Sequence, residues 1–295
     1  MKFALMVVIL CSAHAKEFKT SHENPYQTGI EIAMKGGPEP AKRYFAACHR
    51  ETGDKMCYYG LAYCLYLSGE SEKALKMVET IVASGPHSEK FMGDLEMLNG
   101  LILLQYRDFE LAEHHFDAAL QHYENAGHAI NIFKTLTALA NAKMALGKLA
   151  EAEQLLEEAN YIAIRDDVNL SYLHSLRAIT HYTMGNLAAA ERFAALSVEE
   201  YRALGNTRAV MGMLSWLAFY RYEQGNLEFA KDTLDQAVAM TKNSPETLST
   251  ELIRAYIYKC ENPNGSNELF QRKAQAEKDY FIQRFLKTAI NKKCK

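Results

Sequence analysis

The sequence predicts an all-α fold: a right-handed α-solenoid of stacked antiparallel helix hairpins, with a C-terminal capping helix. Three observations predict it. Apolar residues recur with helical periodicity through most of the 295 residues. Short glycine-led turns return at a nearly constant separation. With 6 prolines and no Gly/Ser-rich or Pro-rich segment, the chain has little room for linkers or for a turn-rich β-sandwich.

Turn residues mark the repeat. Gly69, Gly147, Gly185 and Gly225 stand at turns, with Arg107 in the remaining slot, so that successive turns are 38, 40, 38 and 40 residues apart. An alanine follows each turn residue by five positions, and a small residue precedes it by seven. The alanines are Ala74, Ala112, Ala152, Ala190 and Ala230, and the small residues are Ala62, Gly100, Ala140, Ala178 and Ala218. Small residues thus stand at the same two offsets from the turn residue in all five units. This pattern predicts hairpins whose two helices approach closely, because small side chains leave room between the backbones.

Each unit consists of a first helix, a turn and a second helix. Residues 132–146, the turn at Gly147 and residues 149–162 illustrate the pattern. Glycine suits the turn because the residue after a helix commonly needs a positive φ. One hairpin leaves an apolar face on either side, so it is stable only when neighbours stack on it.

Further helices flank the five units. The turn at Gly36-Gly37 indicates a degenerate leading unit. Another first helix is predicted over residues 248–260, and Ser266 then caps a long final helix over residues 267–291. A final helix with a polar outer face is what a helical array needs to close its open end.

The N-terminus predicts export. Residues 1–15 have the parts of a secretory signal peptide: Lys2, an apolar run over residues 3–10, and Ala-His-Ala at residues 13–15 before a cleavage point. The apolar run is too short to span a bilayer as a helix, and no other stretch approaches about eighteen apolar residues. We therefore expect a periplasmic or secreted protein without a membrane span.

These features divide the chain into three parts. Residues 1–15 form the signal peptide, residues 16–260 the helical repeat array, and residues 261–295 the C-terminal capping helix packed on the array.

Export would favour disulfide bonds between the cysteines. Cys48 ends one predicted helix and Cys57 begins the next across a short turn, which suits a disulfide. Cys260 and Cys294 are the second candidate pair and would tie down the last helix. Cys57 and Cys64 lie about 10.5 Å apart on one predicted helix, too far to bridge. Cys64 is therefore expected to be a buried thiol.

The repeat resembles the tetratricopeptide repeat family in its small/Leu–Gly–Ala frame. Two segments carry that frame most closely: Leu217-Ala218 with Gly225 and Ala230, and Leu139-Ala140 with Gly147 and Ala152. The period of 38 to 40 residues is similar to the longer-helix variants of the family. The resemblance covers about residues 22–260 and implies a concave groove lined by the first helices.

The resemblance also implies where a partner would bind. In the family, groove-facing residues stand 13, 10, 6, 3 and 2 positions before the turn residue, and here those positions are rich in tyrosine and methionine. The predicted groove residues are Tyr59, Tyr63, Tyr66, Met97, Leu101, Asn141, Met144, Tyr172, Tyr182, Phe219 and Tyr222. Tyrosine and methionine are favoured at interfaces. In the alternative reading, long-helix repeats close the curve more tightly and these side chains pack internally.

One class of partner is predicted against. The family's chaperone-tail binders hold a terminal carboxylate with Lys, Asn and Arg in the groove, and here only Lys134 and Asn141 are of the right type. They do not form the set. We expect Asn141 to hydrogen-bond an extended peptide backbone or a neighbouring helix.

Charge and motifs argue against other classes of function. A net charge of -3 gives no electrostatic reason to expect nucleic acid. The sequence has no Walker loop, no G-x-S-x-G and no dinucleotide-binding G-x-G-x-x-G. His115 and His122 share a helix face without the H-E-x-x-H spacing of a zinc helix, and no C-x-x-C pair occurs. We therefore predict no catalytic residue, no metal and no cofactor.

Two functions remain. The first is an exported scaffold or adaptor, in the bacterial envelope, that presents an aromatic groove to a partner protein or extended peptide. The alternative is a periplasmic or secreted sensor or receptor for a small peptide or ligand held inside a closed superhelix.

Overall fold

The computed structural model describes residues 24–242, 245–261, 270–271, 273 and 280–291. Throughout these residues the secondary structure is helical, with no β-strand, which confirms the all-α prediction. No helix within the described part of the chain combines the length and the apolar character needed to cross a membrane. The predicted signal peptide over residues 1–15 lies outside the described residues.

The described residues contain fourteen α-helices. In chain order they are α1 (Pro25–Gly36), α2 (Pro38–Thr52), α3 (Lys55–Leu67), α4 (Ser71–Ala83), α5 (Glu89–Tyr106), α6 (Phe109–Asn125), α7 (Ala129–Ala145), α8 (Leu149–Arg165), α9 (Ser171–Thr183), α10 (Leu187–Ala203), α11 (Thr207–Glu223), α12 (Leu227–Ala239), α13 (Leu248–Glu261) and α14 (Tyr280–Asn291). A short 3₁₀ helix, Met240–Lys242, follows α12.

The helices fall into two compact units. Unit 1 spans Met1–Gly147 and Tyr161–Val168, and unit 2 spans Lys148–Asn160 and Asn169–Lys295. In unit 1, consecutive helices from α1 to α7 pack together, and the first helices α1, α3, α5 and α7 also pack side by side. In unit 2, consecutive helices from α9 to α13 pack together, and α11 packs against α13. Each unit is therefore a stack of helix hairpins.

All five predicted turn residues adopt a positive φ. The values are 81° at Gly69, 64° at Arg107, 78° at Gly147, 84° at Gly185 and 88° at Gly225. Residues other than glycine rarely adopt a positive φ. Arg107 does so here because the turn of the repeat requires the left-handed backbone conformation at this position. The placement of Arg107 in the turn column is confirmed.

The structure shows a second turn column, which joins one hairpin to the next. Gly85, Gly127, Asp167 and Gly205 have φ values of 118°, 66°, 51° and 66°. The last three are 40 and 38 residues apart, so this column has the same period as the first. The repeat pattern predicts one left-handed turn per repeat, whereas the structure has two.

Small residues in the two helices of each hairpin are buried. Fully buried residues of these columns are Ala62, Ala74, Ala112, Ala140, Ala152, Ala178, Ala190, Ala218 and Ala230. At Gly100 the neighbour is the ring of Phe116, which a Cβ atom would overlap. The ring of Phe45 likewise lies against Gly29 and Gly60. Glycine on a first helix thus makes room for an aromatic ring from a second helix.

The leading unit is the hairpin of α1 and α2. A disulfide joins Cys48 of α2 to Cys57 of α3, with their Cα atoms 6.0 Å apart. Cys64, in α3, is 1% exposed. Cys260 lies in α13 and Cys294 lies outside the described residues, so a bond between them stays a prediction.

The C-terminal region differs from the single helix predicted over residues 267–291. Lys259 Nζ lies 5.9 Å from the centroid of the Phe270 ring and 2.6 Å from the carbonyl oxygen of Ala289. A straight helix would separate residues 270 and 289 by about 28 Å. Phe270 and Ala289 therefore do not belong to one straight helix, and that prediction was wrong. Contacts of Phe270 and Ala289 with Lys259 of α13 decide this arrangement, and local helix signals do not predict them.

Candidate functional site

Unit 1 carries a ladder of aromatic rings on its first helices. The centroid distances are 6.1 Å from Tyr26 to Tyr59, 6.3 Å from Tyr59 to Tyr63 and 6.0 Å from Tyr63 to Tyr66. Phe91 of α5 meets Tyr59 edge-on at 5.8 Å. We call these five residues the unit 1 aromatic face. Tyr26 and Tyr63 are half-buried in it, and the other three rings are buried.

A buried carboxylate lies next to this face. Asp94 is 9% exposed and accepts hydrogen bonds from Tyr123 Oη at 2.8 Å and Asn131 Nδ2 at 3.3 Å. Lys90 Nζ donates to the other carboxylate oxygen at 2.8 Å. Burial, followed by the Asp94 charge, raises the pKa of Tyr123. Tyr123 therefore stays a neutral donor, and the network fastens α5, α6 and α7 together.

Unit 2 carries a second aromatic cluster, on α9, α11 and α13. Phe219 lies 5.2 Å from Tyr182, 5.8 Å from Trp216 and 5.5 Å from Tyr256, measured between ring centroids. Tyr222 lies 6.0 Å from Tyr256. We call these five residues the unit 2 aromatic face. Phe219 and Tyr256 are each 1% exposed, whereas Tyr182, Trp216 and Tyr222 are half-buried.

The helix α14 covers part of the unit 2 aromatic face. Phe285 lies 5.5 Å from Trp216, 5.2 Å from Phe219 and 5.7 Å from Tyr256 between ring centroids. Phe285 is 6% exposed and Leu286 is fully buried. A polypeptide segment with an aromatic anchor is therefore already seated on this face.

Four histidine side chains lie close to glutamate side chains. The side-chain pairs are His115 with Glu96 at 2.5 Å, His122 with Glu89 at 2.7 Å, His174 with Glu200 at 3.1 Å and His181 with Glu153 at 3.3 Å. Histidines seven residues apart on one helix thus reach glutamates on neighbouring helices. Their spacing serves helix packing in this structure.

One group of donor atoms in the described part of the chain is close enough to hold a metal ion. It consists of Cys48, Asp54 and Cys57, whose ligand atoms lie within 4.8 Å of one another. Both sulfurs are joined in the disulfide, so they are not thiolate ligands in this structure.

The eleven predicted groove residues fall into two groups. The half-buried ones are Tyr63, Met97, Tyr182 and Tyr222. The buried ones are Tyr59, Tyr66, Leu101, Asn141, Met144, Tyr172 and Phe219. Burial of seven side chains favours the alternative reading for those seven, in which they pack internally. The four half-buried side chains keep surface that a partner can contact.

Trp216, Tyr256 and Phe285 belong to this site but are not among the predicted groove residues. Trp216 is the single tryptophan of the chain and stands on a first helix three residues before Phe219, which is a usable signal. The sequence gives no comparable signal for the contacts of Phe285. An amphipathic pattern predicts that one face of the helix is buried, but it does not predict against which surface of the protein.

Stacked hairpins of this period, with a left-handed residue at each turn and small residues in phase, define an α-solenoid repeat protein. The family model described as a tetratricopeptide repeat matches residues 135–158, which include most of α7, the turn at Gly147 and the first part of α8. The match to the tetratricopeptide repeat model thus covers one turn of the array and parts of its two helices.

Solved structures share the fold at low sequence identity. A Rap protein complexed with Competence and Sporulation Factor has a TM-score of 0.67 and 9% identity, covering 97% of this chain and 94% of that chain. A tetratricopeptide repeat protein from Parabacteroides merdae has a TM-score of 0.58 and 16% identity, covering 90% of this chain and 99% of that chain.

A larger relative in structure comes from the APC/C hetero-tetramer Cut9-Hcn1. It has a TM-score of 0.62 and 12% identity over 85% of this chain, and the match spans 45% of that chain. This protein therefore corresponds to less than half the length of that one. No curated protein matches the sequence.

Proposed function

We propose that the protein is an exported scaffold or adaptor that binds a partner polypeptide through the aromatic faces of its first helices, in the bacterial envelope. The observation that carries the proposal is the half-buried state of Tyr63, Tyr182 and Tyr222. Each ring leans on buried or half-buried aromatic neighbours and still offers surface. Tyrosines held in this way bury area in a complex with little loss of side-chain entropy.

The compensated charge beside the unit 1 aromatic face favours a neutral or apolar partner segment. Asp94 beside the aromatic face is already compensated by Lys90 and by two hydrogen bonds. A partner on this face therefore meets aromatic rings and the thioether of Met97 beside a carboxylate whose charge is compensated. Such a surface suits an apolar or aromatic polypeptide segment.

Photo-crosslinking tests the proposal in the full chain. A photoreactive phenylalanine analogue replaces Tyr63 or Tyr182 in cells of the host, and crosslinked polypeptides are identified by mass spectrometry. We expect one polypeptide to be captured from a first-helix position. The matched controls are Tyr161 and Phe229, which lie on second helices and are 69% and 67% exposed.

Titration of the captured polypeptide then gives the energetic test. Replacing Tyr63 or Tyr182 by Ala should weaken binding by about tenfold or more, as expected for an interface anchor. Tyr161→Ala and Phe229→Ala should change the affinity by less than about twofold. Equal crosslinking from all four positions, or weaker binding after the second-helix substitutions alone, would contradict the proposal.

Export is proposed from residues 1–15. N-terminal sequencing of the protein purified from envelope and cytoplasmic fractions tests it. We expect the envelope protein to begin at Lys16. Recovery of the whole chain from the cytoplasm with Met1 or Lys2 at its start would contradict export.

A sensor for a small peptide is the second candidate. The Rap protein, which matches 97% of this chain in structure, was solved in complex with Competence and Sporulation Factor, and a factor bound to a protein of this fold is the observation that favours a sensor. Purified protein equilibrated with the small-peptide fraction of host medium would release a defined peptide on denaturation. Release of no peptide, together with crosslinking to a folded protein, favours the scaffold.

A further inference from the structure

The surface beneath α14 has the composition of a helix-binding site. Phe285 enters between Trp216 and Phe219 of α11 and Tyr256 of α13, with ring centroids 5.2 to 5.7 Å apart. Edge-on contacts at such distances add to the free energy of burial. Phe219 is also one of the predicted groove residues, so α14 uses the face that the repeat offers to a partner.

The helix α14 is amphipathic. Phe285, Leu286 and Ala289 are 6%, 0% and 0% exposed, whereas Lys287 and Asn291 are exposed. Residues three and four positions apart lie on one side of a helix, and Ala289 follows Leu286 by three positions and Phe285 by four. Laying such an apolar stripe in a groove is a recurring way in which proteins recognise helices.

A polar contact fixes one end of α14. Lys259 Nζ on α13 donates a hydrogen bond to the carbonyl oxygen of Ala289 at 2.6 Å. Carbonyl groups in the last turn of a helix lack partners within that helix and attract cations. The surface therefore contacts both the apolar stripe of a helix and its C-terminal end.

We propose that Trp216, Phe219, Tyr256 and Lys259 form a docking seat for an amphipathic helix, and that α14 occupies this seat in cis. A partner opens the seat by supplying a helix with the same Phe-Leu-x-x-Ala pattern, which displaces α14. The inference rests on the proposed function, because it names the kind of polypeptide that unit 2 binds. Binding to the seat is then weakened by the fraction of molecules in which α14 blocks it.

A peptide titration on the full chain tests this arrangement. The probe is a synthetic peptide of residues 280–291, YFIQRFLKTAIN, and the readout is the emission of Trp216, the single tryptophan of the chain. The variant Phe285→Ala/Leu286→Ala loosens α14. We expect it to bind the peptide at least about tenfold more tightly than the unsubstituted protein does.

Matched controls define the specificity. A peptide with the same two alanines should not change the Trp216 emission, and the protein variant Lys287→Ala should behave like the unsubstituted protein because Lys287 is exposed. Equal affinity of the loosened variant and the unsubstituted protein would overturn the proposal. So would a folded loosened variant, judged by circular dichroism, that binds no peptide. A dimer of the unsubstituted protein that the loosened variant does not form would show exchange of α14 between copies, against occupancy in cis.

If the loosened variant does not fold, hydrogen exchange on the unsubstituted protein tests whether α14 can leave its site on α11 and α13. We expect amides of α14 to exchange at least about tenfold faster than those of α11, through local opening. If the amides of α14 exchange only at the rate of those of α11 and α13, then α14 opens together with the core, and the proposal is overturned. Crosslinking at Tyr63 in unit 1 is independent of this seat, so failure of the seat and failure of the proposed function are distinguishable.

Discussion

At Gly100 the absence of a side chain is a packing requirement. A Cβ atom there would overlap the ring of Phe116, which is fully buried. Gly212, also within a first helix, differs: its nearest neighbour for a Cβ atom is Ser249 Oγ at 3.4 Å, an ordinary contact. Replacement by alanine should therefore change the free energy of unfolding in opposite directions at the two glycines.

Gly100→Ala should lower the free energy of unfolding by about 1–3 kcal/mol, because overpacking a closed core displaces the ring. Gly212→Ala should raise it by up to about 1 kcal/mol, because alanine reduces the backbone freedom of the unfolded chain. Urea unfolding followed by circular dichroism measures both. Two substitutions with the same sign and size would show that the ring of Phe116 does not depend on the glycine.

Between helices, ion pairs connect neighbouring hairpins. Glu70 stands at the start of α4, and its carboxylate lies 2.8 Å from Lys42 Nζ on α2. Hydrogen bonds from Lys42 and then Lys73 lower the pKa of Glu70 to about 2. The pKa is lower in the folded protein than the ordinary value of 4.5, so the ionised form stabilises the fold. That stabilisation is present above about pH 4.5 and is lost as the pH falls through about 2.

Glu70→Gln should therefore reduce the loss of stability between about pH 4.5 and pH 2. Glu72→Gln is the matched control, because the pKa of Glu72 is lowered by one lysine, Lys76, of the same helix. We expect Glu72→Gln to change the loss of stability at acid pH by less than Glu70→Gln does. Thermal unfolding across this pH window measures the difference, and an unchanged acid limb in Glu70→Gln would contradict the assignment.

For the whole molecule, stacked hairpins make stability local. In a repeat array each hairpin contacts its neighbours, so a disturbance propagates through adjacent interfaces and fades with distance. The disulfide from Cys48 to Cys57 lies in unit 1, between α2 and α3. Its effect should therefore be concentrated in that unit.

Reduction of this disulfide should cost about 2–3 kcal/mol, from the chain entropy of a loop of this length. We expect faster amide exchange in α1 to α4 and unchanged exchange in α9 to α13. The variant Cys48→Ser/Cys57→Ser is the control and should not respond to reductant in α1 to α4. Equal acceleration in α11 would contradict local coupling, and a reactive Cys48 thiol in protein purified without reductant would contradict the bond itself.

Much of the fold follows from residues close together in sequence. The turn column, including Arg107, and the buried alanine columns are properties of local spacing and backbone conformation, and the structure confirms them. The second turn column at Gly127, Asp167 and Gly205 is equally local but was not predicted.

The candidate site was predictable in position but not in exposure. Spacing placed Tyr63 and Phe219 on first helices, and both lie on the aromatic faces. Spacing did not separate the half-buried Tyr63 from the buried Phe219. Exposure depends on what packs over a residue, and at Phe219 that is Phe285, which lies 66 residues further along the chain.

The sequence by itself determined the hairpins, their period and their turns, since helix periodicity and turn chemistry act over a few residues. The tertiary structure alone decided which aromatic rings keep accessible surface, and it alone seated α14 on α11 and α13. Both depend on side chains distant in sequence competing for the same apolar surface. The helix α14, which lies within the segment predicted to cap the array, thus covers part of the unit 2 aromatic face.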